Sequence, residues 1–142
     1  MYLKTFAEYK EAIDLTRNEV ALTEIKNGGK PLVIDFTAKW SAPCKKIRAV
    51  YEAQIEEYPE LVFKKLDVDA VPEGSRADEI QNMPTFKIYM NGEVFSKLDL
   101  TSDKAVRKLL DGESYSKSEE RNAKALKKLL DKAKEAWLER ET

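Results

Sequence analysis

The chain has 142 residues, of which 42% are hydrophobic and 36% charged, and its net charge is −1 at neutral pH. This composition predicts a globular domain with an extension and excludes a disordered chain. One cysteine and no histidine exclude an internal disulfide, a Cys/His zinc site, and Cys–His or Ser–His–Asp catalysis. The balanced charge gives no indication of nucleic acid or membrane as a partner, and no metal or cofactor is indicated.

The N-terminal part of the chain predicts a helix followed by a buried strand. Thr5 and Glu8 have the spacing of a capping box. Apolar residues then recur at roughly helical spacing, which predicts one helix that ends at residues 27–29, an Asn-Gly-Gly sequence. These apolar positions are Phe6, Tyr9, Ile13, Val20 and Ile25. The short apolar run 31–36, rich in β-branched residues, predicts the first strand.

A helix, a strand and an irregular segment are predicted next. Residues 42–58 have the pattern of a helix that ends before Pro59, with Ile47, Val50, Tyr51 and Ile55 on one face. Residues 61–68 predict a second strand. Residues 72–81 predict a short helix or an irregular connection.

The following segment predicts a hairpin and another helix. Asn91-Gly92 lies between the apolar segments 85–90 and 94–98, which is the strongest short-range indication of a β-hairpin. Ser102 can cap a helix that continues to Leu110 and ends at Gly112. Strand–helix alternation followed by a hairpin predicts an α/β fold with a mixed sheet and helices on both faces.

The domain is predicted to span residues 1–112, and residues 113–142 form a polar linker and an amphipathic helix. One apolar stripe runs along this helix, through Ala123, Leu126, Leu130, Ala133 and Trp137. The stripe could pack back on the domain, or it could bind a partner or a second copy of the chain. Acidic residues between the lysines argue against a nucleic-acid-binding arm.

Two motifs point to a known family. The segment Trp40-Ser41-Ala42-Pro43-Cys44 resembles the Trp-Cys-Gly-Pro-Cys motif of the thioredoxin family, and Met83-Pro84-Thr85 resembles its cis-proline loop. The resemblance covers about residues 1–112. It implies the thioredoxin fold, a central mixed β-sheet flanked by helices, here with an extra C-terminal helix.

The resemblance assigns chemical roles to three residues. Ser41 stands at the position of the nucleophilic cysteine, Cys44 at that of the resolving cysteine, and Asp35 at that of a buried acid. A serine cannot form a disulfide, so the two-cysteine cycle is not possible, and Ser41 is interpreted as a helix cap that accepts from the Cys44 N–H. Cys44 could be an inert buried thiol or a slow monothiol trapped by partners or glutathione. The pattern alone also allows a surface-facing Asp35.

The resemblance further implies a groove that binds extended protein or peptide partners. Its positions correspond to Trp40, Ala42, Pro43, Met83, Pro84, Thr85 and Asp99. Asp99 replaces a glycine that opens the groove in the family, so its side chain could obstruct peptide binding or change its specificity.

Three functions remain open from the sequence. The first is a redox-inactive or monothiol thioredoxin-like protein that acts by binding partners, within thiol–disulfide homeostasis. The second is a protein-disulfide reductase in which the first cysteine has been replaced, naturally or by engineering. The third is a protein in which Cys44 forms mixed or intermolecular disulfides. With one cysteine and no visible signal peptide or membrane span, a cytoplasmic location is expected.

Overall fold

The computed structural model describes residues 1–140, so the last two residues of the predicted segment 113–142 lie outside the described part. Six helices and four strands follow in that part of the chain. In chain order they are α1 (Phe6–Asp14), α2 (Asn18–Ala21), β1 (Leu32–Thr37), α3 (Ala42–Glu57), β2 (Val62–Asp67), α4 (Pro72–Ala77), β3 (Thr85–Met90), β4 (Glu93–Asp99), α5 (Asp103–Leu110) and α6 (Ser118–Arg140).

The four strands form one mixed sheet in the order β2-β1-β3-β4. β1 is parallel to β2 and antiparallel to β3, and β3 and β4 form the predicted hairpin. At the other edge, the N-terminal Tyr2 makes an isolated parallel bridge to Lys65 of β2. The predicted α/β class and mixed sheet are therefore confirmed.

Helices cover both faces of the sheet, and each face has its own core. On one face α3, α5 and α6 pack on Val33, Phe86 and Leu98. On the other face α1 and the segment around α4 pack on Ile34 and Phe36. Consecutive residues of a strand point to opposite faces, so burial on both sides explains why β1 is an almost continuous apolar run.

The prediction of one helix from Thr5 to about residue 26 is wrong, because the chain turns at Thr16. The buried Thr16 side chain donates to the Ile13 carbonyl at 2.6 Å and accepts from Gly92 N–H at 2.8 Å. Its own carbonyl accepts from Asn91 N–H at 3.1 Å. The Thr16 carbonyl therefore accepts from the β3–β4 turn instead of from the next turn of a longer α1. Ile25 is left exposed.

The predicted apolar face of α3 is only partly correct. Ile47 and Tyr51 are buried, but Ile55 is 38% exposed. Gln54 is buried in place of Ile55, and its Nε2 donates to the Val50 carbonyl at 2.8 Å. A polar side chain can occupy a buried position when it returns a hydrogen bond to its own helix.

α6 packs on its own domain against α3, α5 and β4. Its buried face is wider than the predicted stripe and comprises Ala125, Leu126, Leu129, Leu130, Ala133 and Trp137. Polar contacts also link α6 to the rest of the domain. Tyr58 Oη donates to Asp131 Oδ1 at 2.6 Å, and Arg121 forms an ion pair with Asp103 at 2.7 Å. Binding of a partner by α6 stays a prediction, and it would use the outer face around Leu138. Within residues 1–140, neither α6 nor any other helix is long and apolar enough to cross a membrane.

The docking of α6 can be tested with two leucines of the same helix. Leu126 is fully buried, whereas Leu138 is 44% exposed. We expect Leu126→Ala to lower the free energy of unfolding by about 2–5 kcal/mol, because it leaves a cavity in the shared core. Leu138→Ala should stay within about 0.5 kcal/mol of the parent. Urea unfolding measures both, and equal effects would contradict docking.

Candidate functional site

The N-terminus of α3 presents the first motif residues. Ser41 is the N-cap, and its Oγ accepts from Cys44 N–H at 3.4 Å. Ala42 and Pro43 form the exposed first turn, where a proline is favourable because its missing N–H would have had no helical partner. The predicted cap is confirmed. Ser41 itself is buried, so its hydroxyl group has a structural role as the cap of α3.

Cys44 lies one turn inside the helix and is 5% exposed. It lines a cavity of about 270 Å³ together with Asp35 of β1. Four cationic side chains also line this cavity, namely Lys39, Lys45, Arg48 and Lys65. The only thiol of the chain therefore lies in an electropositive recess beside a buried carboxyl group.

Asp35 is buried at 3% exposure, as the resemblance implied. Its Oδ1 is one of the buried polar atoms without a hydrogen-bond partner in the described chain. Burial raises the pKa of Asp35 to about 7, because the charged form loses its hydration; Lys65 acts in the opposite direction, and Glu52 adds to the increase. Burial therefore favours the protonated form of Asp35 compared with an exposed aspartate.

Lys65 is a site residue that the sequence analysis missed. It lies directly opposite Asp35 in the β1–β2 register and is buried. Its Nζ is 3.4 Å from Glu52 Oε2 on α3. The sequence did contain a signal for it. Lys65 lies in one apolar predicted strand and Asp35 in another, and charged residues are rarely buried unless they are paired.

Trp40 is held outside the core. It is 67% exposed, and its Nε1 donates to Asp69 Oδ2 at 2.8 Å. Asp69 follows β2 and was not singled out in the sequence. The hydrogen bond orients the indole ring while leaving most of its surface accessible.

The predicted proline loop precedes β3. The Met83–Pro84 peptide bond is cis, as the resemblance implied. Pro84 is buried and Met83 half-buried, and the Pro84 carbonyl accepts from Leu100 N–H at 3.2 Å. Thr85 begins β3, and its Oγ1 donates to the Asn82 carbonyl at 2.7 Å.

Asp99 fastens this loop to the end of β4. Its carboxylate accepts from Asn82 Nδ2 at 3.2 Å and from the Thr101 N–H and Oγ1 at 2.8 and 2.6 Å. Asp99 and Thr85 are paired across the hairpin and line a second cavity of about 610 Å³. The Asp99 side chain is therefore engaged in local hydrogen bonds.

The predicted site residues do not share one pocket. Asp35 and Cys44 line the smaller cavity, whereas Thr85 and Asp99 line the larger one. Trp40 lies on the loop between β1 and α3 and bonds to Asp69. Within residues 1–140, no three carboxylate or thiol groups are close enough to hold a metal ion.

Comparison with known proteins agrees with this geometry. The sequence model of the thioredoxin family, described as "Thioredoxin", matches residues 11–112. The chain belongs to the thioredoxin family. Among its relatives, the thioredoxin of Geodia cydonium is 39% identical over 95 residues, covering 67% of this chain and 79% of the relative. Thioredoxin 1 of Plasmodium falciparum (isolate 3D7) is 33% identical over 99 residues, covering 70% and 95%.

Solved thioredoxin structures confirm the fold. A Plasmodium falciparum thioredoxin superposes with a TM-score of 0.60 at 32% identity, covering 80% of this chain and 98% of that one. A Fasciola hepatica thioredoxin gives a TM-score of 0.61 at 27% identity, covering 78% and 95%. The region matched by the family model ends at residue 112, so α6 is an addition to the matched thioredoxin region.

Asp35 should make the stability depend on pH. Its pKa is higher in the folded than in the unfolded state, so the folded chain binds more protons between about pH 4 and 7, and stability falls as pH rises through this window. We expect Asp35→Asn to be more stable than the parent at pH 8, by about 2–4 kcal/mol. Urea unfolding at several pH values measures the difference.

The advantage of Asp35→Asn should shrink as the pH is lowered toward 4, where Asp35 is protonated in the folded parent. The carboxyl carbon of Asp35 should titrate in NMR spectra with a midpoint of about pH 7. A stability difference that does not change with pH would contradict the assignment.

Asp99 should contribute to stability through its three hydrogen bonds. We expect Asp99→Ala to lower the free energy of unfolding by about 1–2 kcal/mol and to accelerate amide exchange at Thr101, which loses its acceptor. Asp99→Asn keeps one acceptor oxygen and should have a smaller effect on both. If the two variants behave alike, the carboxylate does not fasten this loop.

Proposed function

We propose that this thioredoxin-family protein binds extended segments of protein partners beside Pro84 and does not reduce disulfides catalytically. The observation that carries the proposal is that Ser41 caps α3 at the position that the resemblance assigns to the nucleophile. A hydroxyl group cannot exchange with a disulfide. Because Cys44 is the single cysteine, no internal disulfide can form to complete a turnover.

The main chain beside Pro84 supports the peptide-binding part of the proposal. Within residues 1–140, neither the N–H nor the carbonyl of Met83 has a hydrogen-bond partner. These groups are suited to pair with an extended peptide by strand addition. The exposed indole of Trp40 offers an apolar surface held in one orientation by Asp69.

A second candidate is a disulfide reductase scaffold that lacks only its first thiol. The observation that favours it is the retained pair of Asp35 and Cys44, which line the same cavity although the two-cysteine cycle is missing. The proline loop is retained as well. On this view, the Ser41→Cys substitution restores the activity of the family.

The experiment that tests the proposal is insulin reduction with dithiothreitol, in which the parent, Ser41→Cys and Ser41→Ala are compared. We expect no acceleration by the parent or by Ser41→Ala and clear turnover by Ser41→Cys. Ser41→Ala is the control, because it removes the cap without adding a thiol. Far-UV circular dichroism verifies that all three proteins are folded.

The outcomes separate the two parts of the proposal. Catalytic reduction by the parent would overturn the absence of turnover. An inactive Ser41→Cys protein would contradict a groove that accepts extended peptides, because insulin must bind there to react. Activity confined to Ser41→Cys supports both the binding groove and the retained scaffold.

We also propose that the protein works in a reducing compartment, the cytoplasm being the simplest. The support is chemical: a buried single thiol and the absence of a disulfide in the fold indicate no dependence on oxidising conditions. Fractionation of cells that express the protein would test this location.

A further inference from the structure

The cavity beside the start of α3 contains a thiol that peptide binding at Pro84 does not use. Its volume is about 270 Å³, and it is lined by Cys44 together with residues of β1, β2, the N-terminus and the loop before α3. This volume is close to the lower limit for pockets that bind small molecules. The cavity is separate from the larger one at Thr85 and Asp99.

A second, independent observation indicates a ligand. Asp35 lines the cavity, is 3% exposed, and its Oδ1 has no hydrogen-bond partner in the described chain. A buried polar atom without a partner is costly, so a ligand group that bonds to it gains free energy.

The charges around the cavity specify the sign of this ligand. Lys39, Lys45, Arg48 and Lys65 all line it. The neighbouring carboxylates are Asp35, whose charged form is disfavoured by burial, Glu52, whose Oε2 is 3.4 Å from Lys65 Nζ, and Asp67, which acts on the cavity-lining Tyr2. The four cations therefore still outnumber the charged carboxylates. Lys39, Lys45 and Arg48 are exposed and so form a cationic rim that attracts anions.

We propose that this cavity is a site at which small anionic disulfides bind and form a mixed disulfide with Cys44. The Cys44 thiol loses its proton to water, and the thiolate attacks one sulfur of the ligand. The ligand S–S bond breaks, a new S–S bond forms to Cys44, and the departing thiolate takes up a proton. The ligand disulfide is the oxidant, and one thiol is released for each adduct.

The chain has no second thiol that could displace the bound group. Ser41 accepts from Cys44 N–H but cannot carry out thiol exchange. The adduct therefore persists until an external thiol reduces it. This reaction is stoichiometric and does not depend on peptide binding at Pro84.

The test compares two probes with opposite charges, oxidised glutathione and cystamine, by intact-mass spectrometry over time. We expect a single adduct at Cys44 in the folded protein, formed about tenfold faster with oxidised glutathione than with cystamine. The difference should decrease at high salt. In urea, where the cavity is lost, the two probes should react at similar rates.

Neighbouring residues of α3 provide matched variants. Lys45 lines the cavity, whereas Lys46 lines a different recess between α3 and α6. Lys45→Glu should slow the reaction with oxidised glutathione by about tenfold, and Lys46→Glu by less than about twofold. Urea unfolding verifies that both variants are folded.

Three results would overturn the proposal. One is the absence of an adduct in the folded protein under conditions that modify the unfolded chain. Another is an equal rate for the anionic and cationic probes in the folded protein. The third is an equal effect of Lys45→Glu and Lys46→Glu.

Discussion

The burial of β1 on both faces determines where the residues of the site lie. β1 is the second strand of the sheet, between β2 and β3, and helices cover it from both sides. Successive residues of β1 point to opposite faces, so Asp35 lies on the same face as Val33, which α3 covers. The chain then leaves β1 through the loop that contains Trp40 and enters α3 at Ser41, which places Cys44 beside the same carboxyl group. The cavity, its thiol and its acid thus depend on one strand–helix junction.

Ser41 determines both the structure and the chemistry of this junction. Ser41 accepts the hydrogen bond that a helix N-cap requires, so α3 begins directly after it. Ser41 therefore stabilises the start of α3, but its hydroxyl group cannot exchange with a disulfide. Asp35 keeps its burial and its raised pKa, although without the first thiol its proton has no evident use in a two-cysteine cycle.

α6 adds a layer to the thioredoxin fold. Its apolar face joins the core of α3 and α5, so the surface of these helices that would otherwise face solvent is covered. The N-terminal part of α6 reaches the first turns of α3, where Ser118 and Asn122 lie near Pro43 and Ile47. Its C-terminal part returns to the segment after α2, where Arg140 donates to the Gly29 carbonyl at 3.4 Å. The helix therefore contacts both the first turns of α3 and the segment after α2.

The sequence alone determined the order and type of most elements, because hydrophobic periodicity, caps and the Asn-Gly turn are local signals. It also determined the loss of the two-cysteine cycle, since one cysteine cannot form an internal disulfide. The tertiary structure decided the features that depend on distant partners. Thr16 ends α1 because the β3–β4 turn binds it, Gln54 replaces Ile55 in the buried face, and Lys65 lies opposite Asp35 only through strand register. The sharing of one cavity by Asp35, Cys44 and four cations is likewise a property of packing, because no spacing along the chain encodes contacts between separate elements.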